Sequence, residues 1–168
     1  MVLIALLLQA IAPAGDTLAP AFKGQAQCYA PDVARKACAS IGEYARDSAG
    51  RIQNTAIVLI SPSPAIVMRT VAPVEVKGGA VCGVITAGDL ERATFVVNGR
   101  SADDATAANI RRALAPGYAP ILGHEICTAY EADGETMRGL VSMDGQRRPE
   151  LDQVVRWVSP AEGFAVKP

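Results

Sequence analysis

Residues 51 to 85, RIQNTAIVLISPSPAIVMRTVAPVEVKGGAVCGVI, alternate short apolar runs with turn residues and are rich in Val, Ile and Thr. β-branched side chains fit a pleated, half-buried surface better than a helix, so this stretch predicts sheet. Just before it, IGEYAR (41–46) and the turn residues Asp47-Ser48-Ala49-Gly50 lead into RIQNTAIVLI, which predicts a hairpin. Ser61-Pro62-Ser63-Pro64 predicts a hard stop after it. Beyond that stop, AIVMRTV, VEV and AVCGVI, separated by Pro73 and by Gly78-Gly79, predict three further strands or a bent pair.

Towards the C-terminus, Gly88 to Glu91 reads as a single helical turn, and ATFVVNG (93–99) as a strand that closes on Asn98-Gly99. One main helix is expected over 102–115. Ser101 and Asp104 form an S-x-x-D capping pattern, and Ala107, Ile110 and Leu114 share one face with Arg111 and Arg112 beside it. Pro116-Gly117 is expected to end that helix, and Tyr118 to Leu122 to form a further short turn stopped by Gly123. HEICTAYEA (124–132), TMRGLVSM (136–143) and QVVRWV (153–158) then read as strands, with turns at Asp133-Gly134 and Asp144-Gly145. The expected fold class is therefore α+β: a predominantly antiparallel sheet of about seven or eight short strands with the helix packed on it.

The N-terminal stretch MVLIALLLQAIAPA carries no charged side chain and ends in Ala12-Pro13-Ala14 before Gly15-Asp16. A short apolar run followed by a small-x-small site predicts a signal peptide over 1–14, cleaved from the mature chain, and a periplasmic or secreted bacterial protein. The run is shorter than the roughly 20 residues a membrane span needs, so no span is expected after cleavage. Residues 15 to 27 (GDTLAPAFKGQAQ) lack a period and read as a flexible lead-in without a core, leaving 28–168 as a single globular domain. Twelve of the sixteen basic residues are Arg, as in a GC-rich bacterial coding bias. The net charge of -1 offers no basic field for nucleic acid.

Four cysteines in a chain that looks exported predict disulfides. Three pairings are possible; the favoured one joins Cys28 to Cys38, closing a short loop through Pro31-Asp32, and Cys82 to Cys127, in two apolar strand-like segments. Constraint of the unfolded chain gives the first about 3 kcal/mol and the second about 4. The nearest pair is ten residues apart, which is not the close spacing of a zinc site or a thioredoxin-like motif, and no metal or cofactor is expected.

No nucleotide loop, serine-hydrolase elbow or H-E-x-x-H pattern is present. The weak catalytic candidates are His124, the single histidine, and its neighbour Glu125, although adjacent strand residues point to opposite faces. Trp157 is expected to anchor the core, but exposed beside Tyr130 it would form a binding surface, with Arg138 and Arg156 as an anion-binding face. Arg147 and Arg148 lie nearby, yet the interleaved acids point instead to a mixed solvated surface. Asp103 and Asp104 are explained by the first turn of the helix without a cation. The functional expectation is a non-catalytic binding or interaction domain for an envelope protein or small ligand. The alternative is a small hydrolase or thiol enzyme using His124 with Glu125 or a free cysteine.

Overall fold

The computed structural model describes residues 16 to 168; the expected signal peptide, residues 1 to 14, lies outside them. The strands are β1 (Ala26–Tyr29), β2 (Ala37–Cys38), β3 (Ser40–Arg46), β4 (Ile52–Pro62), β5 (Ala65–Lys77) and β6 (Ala80–Val84). After a short helix α1 (Ala87–Glu91) come β7 (Thr94–Val97), β8 (Arg100–Ser101) and the main helix α2 (Asp104–Tyr118). The chain finishes with β9 (Glu125–Asp133), β10 (Thr136–Met143), β11 (Gln146–Arg147), β12 (Gln153–Val158) and β13 (Ala165–Val166).

Eight of these strands close on themselves. Running β1, β3, β4, β5, β6, β9, β10, β12, each pairs antiparallel with the next, and β12 pairs back with β1. The result is an up-and-down barrel, which leaves no open edge among those strands. Within the meander, Gly78-Gly79 joins β5 to β6 with both central residues at positive φ, and outside it Asn98-Gly99 and Asp144-Gly145 turn β7 into β8 and β10 into β11 in the same way. Turns of that kind match the right-handed twist of the strands they join.

β5 is longer than its neighbours. Its first half pairs with β7 (Ile66 to Arg69) and its second half with β6 (Val74 to Lys77), while β4 runs along its other side. The expected break at Pro73 is therefore a single strand of 13 residues that changes partner. The Pro73 carbonyl faces β6, lying 3.3 Å from where a Cβ on Gly83 would stand. Strand N and C=O groups of one residue point the same way, so the missing N–H falls on the side where partners change and costs the β4 ladder nothing.

The β7–β8 hairpin extends the sheet beyond the barrel, and α2 covers it. Met68, Ala93, Phe95 and Ala107 form a buried cluster, with Ile110, Leu114 and Tyr118 packed against it, so the helix face expected from the sequence is the buried one. The helix cap differs from expectation: Asp103, not Ser101, is the N-cap, and its carboxylate accepts from the Thr106 N–H at 2.7 Å. Ser101 is occupied as the end of β8. Pro116 lies within the last turn of α2 instead of ending it, because a proline near a C-terminus forfeits one ladder bond and the turn continues to Tyr118.

The lead-in is also corrected. Leu18 is fully buried and packs against Val81, Tyr44, Ile52, Val74, Tyr130 and Trp157, so residues 16 to 24 plug one end of the barrel. A lone leucine in a polar stretch has no period to reveal it, yet burying it contributes about 2 kcal/mol. Both disulfides have the expected pairing, Cys28–Cys38 and Cys82–Cys127, and the latter joins directly opposed residues of β6 and β9. Among the described residues no helix is long and apolar enough to cross a membrane.

Candidate functional site

The side chains of His124 and Glu125 take different partners. The His124 Nδ1 lies 2.6 Å from Asp144 Oδ2, on the Asp144-Gly145 turn, and the other Asp144 oxygen accepts from the Glu125 N–H at 2.9 Å. That pairing with His124 holds the Asp144 carboxyl below its ordinary range. The Glu125 side chain instead bonds Lys77, which also pairs with Glu75 at 2.9 Å, and the bond to Glu125 raises the lysine's pKa. All four cysteines are in disulfides, so the thiol the enzyme alternative would use is already bonded.

The proposed aromatic and arginine surface is divided by the sheet. Trp157 and Tyr130 point into the barrel, packed on Leu18. The register places Arg138 opposite Val154 and Arg156 opposite Cys28, on the other face from Val155 and Trp157. Arg156 reaches Glu162 at 3.2 Å and lies over the Phe164 ring at 5.6 Å. Arg147 forks onto Asp152 at 2.8 and 2.7 Å and Arg148 pairs with Glu150, giving the mixed ionic surface expected. Asp103 serves as a helix cap, in keeping with its reading without a cation.

Among the described residues three cavities stand out, of which one, about 470 Å³, lies between the lead-in, β3 and the segment 159–164. The largest, about 740 Å³, is a groove at the rim of the barrel, where β5 and β6 run past the start of β4, closed on one side by α1. Its apolar lining comes from Ile52, Pro73, Val74, Val76, Val84 and the Cys82 end of the disulfide. Val76 and Val84 remain 39% and 37% exposed. The charges at its rim are already paired: Arg51 with Asp47 at 2.8 Å, Arg92 with Asp89 at 2.6 Å, and Glu75 and Glu125 with Lys77. Asp89 is buried yet fully engaged, since its second oxygen accepts from the Thr86 N–H and hydroxyl at 2.8 and 2.7 Å, which fixes α1 as the end wall.

The smallest cavity, about 160 Å³, lies in the barrel lumen beside the Leu18 cluster, with which it shares Tyr44, Val74, Val81 and Tyr130. Its floor is a polar cluster. The Gln27 carboxamide oxygen, fully buried, accepts from Tyr44 at 2.7 Å, Tyr29 at 2.8 Å and Tyr130 at 3.1 Å, and Tyr29 and Tyr130 also touch at 2.8 Å. Burial pushes all three phenols above their ordinary pKa, so they are neutral across the physiological range. Gly42 makes room for this cluster: a Cβ there would stand 3.4 Å from the Tyr29 ring.

Sequence reading identifies none of these cavities. Gln27, Tyr29, Tyr44 and Tyr130 come from β1, β3 and β9, and only the barrel closure brings them together. The one available signal is that Gln27, Tyr29 and Tyr44 fall at alternating positions of short strands, a pattern that points polar groups inward. No protein-family model matches the chain, and neither a curated protein nor a solved structure is significantly similar to it.

Proposed function

We propose that the chain is an exported bacterial binding domain, periplasmic or secreted, that holds an apolar ligand in the rim groove and performs no chemistry of its own. The observation that carries this reading is the groove's composition: an apolar floor of ligand-binding size, with every rim charge named above spent on a neighbour within the chain. Cavities of roughly 300 to 1,000 Å³ accommodate drug-sized molecules. With three cations against four carboxylates, the rim offers an anionic ligand no uncommitted cation to replace its lost hydration, whereas an apolar one gains by covering exposed valines.

The scaffold suits the task. A closed barrel and the Cys82–Cys127 disulfide hold the floor strands β5, β6 and β9 in register, so little conformational entropy is lost on binding. Two disulfides accord with a non-reducing compartment and with the signal peptide expected from the sequence.

Titration of the oxidised protein with the neutral apolar dye Nile red tests the reading. Saturable binding to one site is expected, with affinity falling at least tenfold in Val84→Arg, which places a charge in the groove. Absence of saturable binding, or an unchanged affinity in a folded Val84→Arg protein, overturns it.

A further inference from the structure

The lumen supports an inference separate from the groove. Its volume, about 160 Å³, is close to that of an engineered cavity that binds benzene, about 150 Å³. Its sides include Ala72, Val81 and Ile126, its floor carries Tyr44 and Tyr130, and the neutral polar side chains of Asn54 and Thr128 also border it. Every ionisable side chain lining it is a phenol held neutral by burial.

The protons of the floor can be counted. Tyr44 and Tyr29 donate to the Gln27 oxygen, and the single Tyr130 proton lies between that oxygen at 3.1 Å and the Tyr29 oxygen at 2.8 Å. That leaves the oxygens of Tyr44 and Tyr130 as acceptors with no donor assigned to them. The Gln27 amide nitrogen is buried without a partner. Turning that amide over would present its N–H groups to the phenol oxygens and free phenol protons to donate. A hydroxyl group, which both donates and accepts, pairs with the floor in either arrangement. A carboxylate or an ammonium would have to leave water for a cavity without a counter-charge.

We propose that the barrel lumen is a second binding site, for a neutral, ring-sized molecule bearing one hydroxyl, with the hydroxyl on Tyr44 and Tyr130 and the ring against Ala72, Val81 and Ile126. Phenol, toluene and benzoate are the probes, titrated into the full oxidised protein at neutral pH by calorimetry and ligand-observed NMR. Phenol binds saturably, toluene about tenfold more weakly because it leaves the floor unpaired, and benzoate not at all. Ala72→Leu fills the cavity and abolishes phenol binding while leaving Nile red binding intact, since Ala72 lines the lumen and not the groove. Tyr130→Phe, which removes one floor hydroxyl and leaves the apolar walls in place, brings phenol to within a few-fold of toluene. No saturable phenol binding, benzoate binding as tight as phenol, or a folded Ala72→Leu protein that still binds phenol would each overturn the site. Pro73, Val74, Gly83 and Val84 border both cavities, so Ala72→Leu, at a residue that borders the lumen alone, is the variant that separates the two readings.

Discussion

The helix-covered extension and the barrel interior solve the same problem in opposite ways. Under α2 the core is apolar throughout, with Phe95 and Met68 of β7 and β5 meeting Ala107 and Leu114 of the helix. Within the barrel, apolar packing on Leu18 adjoins a glutamine and three tyrosines, of which Tyr44 and Tyr130 touch both groups, with a cavity beside them. The extension is a region for stability, whereas the barrel keeps polar groups in its centre that an apolar core would not need. Retaining such groups costs desolvation unless each is bonded, which is why they form a connected cluster.

Stability should divide accordingly. Phe95→Ala, which removes the centre of the helix-covered core, is expected to cost about 3 to 5 kcal/mol in urea unfolding and to leave phenol binding by the surviving folded protein unchanged. Leu18→Ala opens the plugged end of the barrel and is expected to cost about 3 kcal/mol, despite lying in a segment with little regular structure. If Leu18→Ala proves neutral, the plug is not part of the core. Gln27→Leu leaves three phenol hydroxyls without their common acceptor, and a loss of about 2 kcal/mol by thermal unfolding is expected. Equal stability would mean that the cluster is no more than tolerated packing. Asp103→Ala removes only the cap of α2 and should cost about 1 kcal/mol.

A surface ion pair should show as a small pH effect away from both cores. Arg147 and the Val141 N–H hold the Asp152 carboxyl at about 2, below its ordinary value of 3.8. A depressed folded-state pKa contributes stability that is complete above the unfolded value and is lost as pH falls through the folded one. Wild-type stability is therefore expected to fall more steeply than that of Asp152→Asn between about pH 4 and pH 2, measured as urea midpoints across that window.

The same contrast explains what the sequence discloses. The α2 face is legible because Ala107, Ile110 and Leu114 recur at helical spacing in one segment, and the hairpins are legible because their turns carry Asn-Gly, Asp-Gly and Gly-Gly. Disulfide pairing follows from proximity and apolar context. Closure into a barrel is not legible, since the pairing of β1 with β12 joins residues at opposite ends of the chain and no local pattern encodes it. For that reason the tyrosine cluster and the groove escape sequence reading, while His124 and Glu125, adjacent in sequence, draw attention to a pair that the strand alternation and the Asp144 turn keep apart.

Methyl-resolved NMR of the oxidised protein, titrated with a saturating apolar ligand, tests the binding role of the groove most directly. The methyls of Val76 and Val84 should shift together with one dissociation constant while those of Ile110 and Leu114 beneath α2 stay unmoved. Shifts centred on Ile110 and Leu114, or no saturable shift at Val76 and Val84, would contradict the assignment of the groove as the binding site.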